Sequence, residues 1–101
     1  MPFPWFRLAV NGLSMVPTLA PGEWVVVRRT RPREGAVVVV RRPERLVVKR
    51  AVRRTDGGWW VEGDNAAASD DSRVFGPVDD GDVLGEVRWR YRPFRSAGRV
   101  R

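Results

Sequence analysis

The chain contains no histidine and no cysteine among its 101 residues, and Lys49 is the single lysine among 19 basic residues. The absence of histidine and cysteine excludes Ser-His and Cys-His catalytic arrangements and the usual zinc ligand sets. It also excludes disulfide bonds. If the chain uses nucleophilic catalysis, its base is therefore a lysine or a carboxylate, and Ser-Lys pairs are a known arrangement. We expect no metal site and no cofactor.

A long apolar run is also missing. The first ten residues are apolar but are broken by two prolines and by Arg7, whereas a membrane span needs about twenty apolar residues. They lack the charged start, apolar middle and cleavage site of a secretory signal. We therefore predict a soluble, cytoplasmic protein, unless a membrane anchor has been removed. The side chains of Phe3, Trp5 and Phe6 are compatible with contact with a membrane surface.

The net charge of +7 is unevenly distributed, with arginines concentrated in 28–54 and acids in 56–86. A basic face can attract nucleic acid or an acidic protein. The segment most typical of nucleic-acid binding is 88–92, Arg-Trp-Arg-Tyr-Arg. The same segment predicts a strand with Trp89 and Tyr91 on one face, and we favour a solvated basic surface over a nucleic-acid site.

The apolar pattern predicts β-structure along the whole chain. Five strands are predicted, at 24–29, 36–41, 46–52, 59–62 and 83–91. Most follow a glycine or proline turn, and Asp56-Gly57-Gly58 predicts a hairpin between the third and fourth strands. No segment has a sustained helical period, although 14–19 and 69–72 could each form one helical turn. The valine run at 37–40 predicts a strand that is buried on both faces.

These strands predict a single, mostly β domain, built as a small barrel or sandwich of short strands. Residues 1–10 are expected to form an N-terminal extension and 11–94 the domain itself. Residues 95–101 are expected to form a flexible basic tail.

Lys49 lies in the apolar run at 46–52, and strand alternation places it on one face with Val47 and Ala51. An apolar neighbourhood lowers the pKa of an amine. Bringing a lysine from about 10.4 to near neutrality costs roughly 4–5 kcal/mol, at about 1.36 kcal/mol per pKa unit. A structural protein gains nothing from that cost, which favours a general base. The alternative is that Lys49 extends to water from a half-exposed strand.

Ser14 lies in a loop whose backbone is constrained by Pro17 and by the neighbouring glycines. Such a turn can present a hydroxyl at the edge of a site and leave amide N–H groups free for an oxyanion. On its own, however, a loop serine is usually only a turn former.

A third segment follows the fourth predicted strand. Gly-Asp-Asn at 63–65 suits a tight turn, and Asp71 and Arg73 are spaced for a local ion pair. Either Ser69 or Ser72 could supply a hydroxyl that orients a neutral amine. Alone, the segment is more typical of an ordinary polar loop.

The three segments form an ordered set of motifs. They are Ser-Met-x-Pro-Thr-Leu at 14–19, Val-Val-Lys-Arg at 47–50, and Gly-Asp-Asn-x-x-x-Ser-x-Asp-Ser-Arg at 63–73, followed by Phe-Gly-Pro-Val at 75–78. Over 12–87 this set resembles the type I signal peptidase family of serine–lysine proteases.

The resemblance implies the mostly β signal-peptidase-like fold and makes 11–94 a Ser/Lys peptidase domain. It implies Ser14 as the nucleophile, Lys49 as the general base and Ser69 as the hydroxyl that orients the lysine. Asp71 and Arg73 would be a structural ion pair.

The 101 residues depart from the membrane-bound members, because we expect no membrane anchor among them and they do not contain the large inserted subdomain of some members. Gly12 occupies the position where some members carry a serine that completes the oxyanion hole. The resemblance therefore implies an oxyanion hole made of backbone N–H groups, chiefly that of Ser14.

The short chain and its 56–65 segment are most similar to the nickel-type superoxide dismutase maturation protease subgroup. This similarity implies a serine endopeptidase that removes an N-terminal propeptide from nickel superoxide dismutase, with the precursor bound as an extended peptide at a sheet edge. Three alternatives remain: a soluble fragment of a membrane signal peptidase, a self-cleaving domain like that of SOS repressors, and a non-enzymatic basic binding module.

Overall fold

The computed structural model describes residues 3–101, so the first two residues of the predicted N-terminal extension lie outside the described residues. Within this range the chain forms one small, mostly β domain with a single curled antiparallel sheet, as the sequence predicts. The strands are β1 (Trp5–Ala9), β2 (Trp24–Arg28), β3 (Val37–Arg41), β4 (Leu46–Thr55), β5 (Gly58–Glu62), β6 (Val83–Arg92) and β7 (Gly98–Arg99).

The sheet order is β1-β2-β6-β3-β4-β5, and β7 pairs with β6. The helical segments are short: one α-helix, α1 (Ser72–Phe75), and 3-10 turns at Ala66–Ala68, Asp80–Asp82 and Phe94–Ser96. None of the helices in 3–101 has the length and apolarity to cross a bilayer.

The five predicted strands are confirmed, and β4 and β6 extend beyond their predicted ends. The hairpin at Asp56-Gly57-Gly58 is also confirmed, because it joins β4 to β5. A side chain at Gly58 would place Cβ 2.1 Å from the carbonyl oxygen of Val78. Glycine is needed there because Trp59 and Val78 exchange two backbone hydrogen bonds of 2.8 Å directly beside it.

The sheet packs apolar side chains on both of its faces. Val37 and Val39 contribute to one core cluster, and Val38 and Val40 to the other. All four are at most 2% exposed, which confirms the prediction of a strand buried on both faces. The first cluster also holds the loop residues that follow β1, and the second holds residues of β4, β5 and the segment before β6. The two clusters fix the central strands from both sides.

Segments near both ends of the described range take part in the sheet. Strand β1 pairs with β2, and its alternating side chains bring Phe6 and Leu8 against the first cluster. At the other end, where the sequence predicts a flexible tail over 95–101, β7 pairs with β6 and Val100 is only 9% exposed. The pairing is explained by this one apolar side chain, which gains burial when the tail lies along β6. The functional division at residues 10 and 95 stays a prediction.

Candidate active site

Lys49 lies in the middle of β4, directly opposite Val38 of β3, and is only 4% exposed. It shares its face with Ala51, which packs in the second core cluster. Burial lowers the pKa of Lys49 below its usual value. The carboxylate of Asp71 opposes this effect, and the guanidinium of Arg45 reinforces it. Burial disfavours the charged form of an amine, so Lys49 gives up its proton more readily than a lysine in water.

The amine contacts Ser69, and not Ser72. Lys49 Nζ donates a hydrogen bond of 3.0 Å to Ser69 Oγ, and Ser69 Oγ donates one of 2.6 Å to Asp71 Oδ2. Ser72 Oγ instead accepts a bond of 2.8 Å from the backbone N–H of Val61. A serine has one hydroxyl proton. Since Ser69 gives that proton to the carboxylate, its oxygen is left to accept from the amine.

Asp71 is the centre of the polar network behind the lysine, and it is completely buried. It accepts hydrogen bonds from the backbone N–H of Gly63 at 2.8 Å and from Arg73 Nη2 and Nε at 2.6 and 2.9 Å. Burial alone would raise the pKa of Asp71, but the hydrogen bonds from Arg73, Ser69 and Gly63 bring it well below its usual range. Asp71 is therefore ionised at neutral pH, and Arg73 balances its charge.

Ser14 is half-buried in the connection between β1 and β2. The flanking Met15 and Leu19 are at most 1% exposed, and a 2.9 Å backbone bond from Leu19 N to Met15 O closes a turn. This turn is not helical, so the helical turn expected over 14–19 is wrong. Asn65 holds the loop from the other side, because its backbone N–H donates to Ser14 O at 2.8 Å and its Nδ2 donates to Leu13 O at 3.1 Å.

Ser14 and Lys49 line one cavity of about 540 Å³, together with Ser69. Its walls come from the end of β1 and the loop after it, from the start of β4, and from 67–70. Within 3–101, the Ser14 hydroxyl and Lys49 Nζ are not joined by a hydrogen bond. The structure thus brings the predicted nucleophile, the predicted base and the predicted orienting hydroxyl to one cavity, with Asp71 and Arg73 behind it.

Gly63, like Asn65, lies where the serine loop and the third motif touch. A Cβ at this position would lie 2.3 Å from Ser69 Oγ and 2.6 Å from Ser14 O, far inside normal contact distance. The backbone of residue 63 therefore fills the space between the predicted nucleophile loop and the predicted orienting hydroxyl. Sequence reasoning assigned Gly63 only to a turn and missed this close approach.

Gly12 is exposed, with a φ of 76° that favours glycine, and the space around its Cα is open. The backbone N–H of Ser14 donates no hydrogen bond within 3–101. An unpaired N–H at the edge of a cavity is what an oxyanion hole requires. The predicted role of the Ser14 N–H is therefore compatible with the geometry and stays a prediction.

Sequence reasoning also missed a contact that involves Asp64. The carboxylate of Asp64 accepts hydrogen bonds from both Thr18 and Arg50. The signal was present in the motifs, because Thr18 belongs to the serine motif and Arg50 directly follows the lysine. The spacing of the motifs, however, does not indicate that Thr18 and Arg50 contact the same carboxylate.

Comparison with known proteins gives consistent matches. The chain matches the Peptidase S24-like family over residues 2–87. It is 34% identical over 124 aligned positions to the mitochondrial ATP-independent inner membrane protease subunit 1b of Arabidopsis thaliana, covering 92% of this chain and 73% of the relative. It is 32% identical over 121 positions to the mitochondrial inner membrane protease subunit 2 of Schizosaccharomyces pombe, covering 90% and 67%.

These matches confirm the predicted enzyme class, a signal-peptidase-like serine protease. The nickel-type subgroup and the roles of the individual site residues stay predictions. Since the family match covers most of the chain and both relatives align along most of their own length, this chain belongs to the Peptidase S24-like family.

Proposed function

We propose that this protein is a serine endopeptidase with a Ser14–Lys49 dyad, which removes an N-terminal propeptide or signal-like peptide from a precursor protein. One observation carries the proposal. The single lysine is buried at 4% exposure, its pKa is lowered by that burial, and it lines the same cavity as Ser14. A lysine with a lowered pKa is the base that a chain without histidine can use.

The proposed reaction begins with Lys49 in its neutral form. The amine takes the proton of the Ser14 hydroxyl, and the oxygen attacks the scissile carbonyl. The backbone N–H of Ser14 stabilises the oxyanion that forms. The lysine, now charged, gives its proton to the leaving amine. Water then hydrolyses the acyl-enzyme, again with Lys49 as the base.

The polar network behind the lysine has a defined task in this scheme. Because the proton of Ser69 is donated to Asp71, one N–H of Lys49 is directed at the Ser69 oxygen. The lone pair of the neutral amine is then free to face the cavity and Ser14. When the amine becomes charged, the nearby carboxylate of Asp71 stabilises the ammonium. The network thus orients the base and limits the cost of protonating it.

The proposed substrate is an extended peptide that lies along the cavity walls. One wall is the end of β1, an edge strand of the described sheet, and the other is the start of β4. Backbone pairing with an edge strand gives affinity, and the side chains near the scissile bond enter the cavity. Both relatives are named as proteases of an inner membrane.

For the specific precursor we propose nickel superoxide dismutase, processed in the cytoplasm. The support is the sequence similarity of 56–65, which the structure places in the β4–β5 hairpin and the turn that follows it.

The test is incubation with the nickel superoxide dismutase precursor and, separately, with precursors that carry signal peptides, each read by intact mass. Ser14→Ala and Lys49→Arg serve as inactive controls. Loss of an N-terminal segment from the dismutase precursor with the native protein alone supports the whole proposal. Cleavage of only the signal-bearing precursors would retain the dyad and refute the dismutase as substrate. Cleavage that persists in either variant would refute the dyad.

A further inference from the structure

The Ser14 hydroxyl is held in place by its loop alone. Within 3–101 its side chain has no hydrogen-bond partner, in contrast to Lys49, which is fixed through Ser69. Proton transfer requires the hydroxyl and the amine to come within about 3 Å of one another. A displacement of about 1 Å at a reacting group can lower the rate by about 100-fold. The contacts that hold the Ser14 loop in position therefore affect the rate of proton transfer.

Asp64 connects this loop to the strand that carries the lysine. Its Oδ2 accepts from the hydroxyl of Thr18, which lies four residues after Ser14. The same carboxylate takes a two-point contact from Arg50, with Nη2 to Oδ2 at 2.7 Å and Nε to Oδ1 at 3.2 Å. Two-point arginine–carboxylate contacts are among the strongest and most directional polar contacts in proteins.

Arg50 is itself well anchored. Its third donor, Nη1, gives a bond of 2.9 Å to the carbonyl of Gly35, and the side chains of Arg50 and Asp64 are only 21% and 20% exposed. Burial alone would raise the pKa of Asp64, but the hydrogen bonds from Arg50 and Thr18 lower it. The carboxylate is therefore ionised at neutral pH and accepts both contacts.

The connection has the geometry that positioning requires. Lys49 and Arg50 are neighbours on β4, and their side chains leave opposite faces of the strand. The strand thus carries the base on one face and, on the other, the arginine whose contact reaches the serine loop through Asp64. The next residue, Asn65, binds the same loop at Ser14 O and Leu13 O. The loop is held on both sides of the nucleophile by consecutive residues.

We propose that Thr18 is a positioning residue, which acts through Asp64 and Arg50 to set the separation between the Ser14 hydroxyl and the Lys49 amine. This inference rests on the proposed function, because it assigns a task to a residue outside the proposed dyad. Thr18 does not touch the reacting atoms, and its effect is on the rate and not on the pKa of the base.

The test compares Thr18→Val, which keeps the shape and removes the hydroxyl, with Thr18→Ser, which keeps the hydroxyl. Thr55→Val is the matched control, since Thr55 also donates one side-chain hydrogen bond, of 2.8 Å to Gly58 O, but at the β4–β5 hairpin. The probe is p-nitrophenyl acetate, a small activated ester that needs no peptide recognition. The rate of acylation is followed by p-nitrophenolate release, and peptide mapping locates the acyl group.

We expect Thr18→Val to acylate Ser14 about 10- to 100-fold more slowly than the native protein. Thr18→Ser and Thr55→Val should stay within about three-fold of the native rate. The midpoint of the acid limb of the pH–rate profile should be the same in Thr18→Val as in the native protein, because the surroundings of Lys49 are unchanged. A double variant with Asp64→Asn should be no slower than Asp64→Asn alone, since both changes break one chain of contacts.

The failures of the two proposals are distinguishable. If the native protein is not acylated at Ser14, the proposed function fails and this inference fails with it. If the native protein is acylated at Ser14 and Thr18→Val reacts equally fast, only the role of Thr18 is overturned. Crystal structures of the native protein and Thr18→Val add a direct measurement, because an unchanged distance from Ser14 Oγ to Lys49 Nζ would also overturn it.

Discussion

Replacing Gly63 with alanine should separate the parts of the active site while leaving each of them chemically intact. The new Cβ would lie 2.3 Å from Ser69 Oγ and 2.6 Å from both Ser69 Cβ and Ser14 O. Real contacts of this kind need more than 3 Å, so one side must move by roughly 1 Å. A shift of about 1 Å in a catalytic arrangement lowers the rate by about 100-fold, and overpacking costs about 1–3 kcal/mol of stability.

The assay must separate lost geometry from lost stability, and Gly85 offers the matched control. A Cβ at Gly85 would lie 2.4 Å from the backbone oxygen of Arg28, so Gly85→Ala creates a comparable clash between β6 and β2. Gly85 does not line the cavity that holds Ser14 and Lys49. Both variants should lose stability in thermal denaturation. Measured well below both melting temperatures, kcat/KM should fall about 100-fold in Gly63→Ala and by no more than about three-fold in Gly85→Ala.

The reasoning would be refuted by a Gly63→Ala variant that keeps native kcat/KM, because the close approach would then have no role in the chemistry. Equal losses in the two variants would also refute it, since the effect would then be one of general destabilisation. The acylation rate with p-nitrophenyl acetate gives a second readout that is independent of the peptide substrate.

Three further predictions concern the network around the lysine. Ser69→Ala removes the hydroxyl that contacts Lys49 and should lower kcat by about 10- to 100-fold, with little change in the melting temperature. Ser72→Ala leaves the N–H of Val61 unpaired and should lose about 1–3 kcal/mol of stability. This second variant should keep most of its activity at low temperature. Activity should rise with pH as Lys49 loses its proton. Because the Asp71 carboxylate raises the pKa of Lys49, the acid limb of the kcat/KM profile should move to lower pH in Asp71→Asn. A shift to higher pH would contradict the assignment of Lys49 as the base. Burial disfavours the charged lysine, so Lys49→Met should melt at a higher temperature than the native protein below the folded pKa of Lys49. This difference should shrink as the pH rises toward 10.5, the pKa of an unperturbed lysine.

The strands were predictable where the sequence combines β-branched runs with glycine or proline turns. The two strands that the sequence did not predict are short and lie at the ends of the chain. In β1 the alternation of Phe6 and Leu8 with exposed residues spans only five positions next to two prolines. In β7 only two residues pair, and the burial of Val100 that accompanies this pairing depends on a surface built by distant strands.

The choice between Ser69 and Ser72 shows where sequence reasoning about the site ends. Both serines lie within two residues of Asp71, and either hydroxyl could have met the lysine. The difference arises because α1 begins at Ser72, which directs that hydroxyl to the backbone of β5. The link from Thr18 to Asp64 joins residues 46 positions apart. Such a contact follows from the curl of the whole sheet and has no local signature.

The unequal use of lysine and arginine has a physical explanation in the fold. Lys49 is the only buried basic side chain in the described part of the protein, while the arginines lie at least partly in water. Many of them pair with carboxylates, as Arg33 does with Glu86, or stack on aromatic rings, as Arg42 does on Phe75. A guanidinium keeps its charge at any accessible pH. Burying it among valines would therefore leave an unpaired charge in the core and still provide no base. An amine can give up its proton and enter the core as a neutral group. At Lys49, which the fold buries, arginine therefore cannot replace lysine without loss of the base.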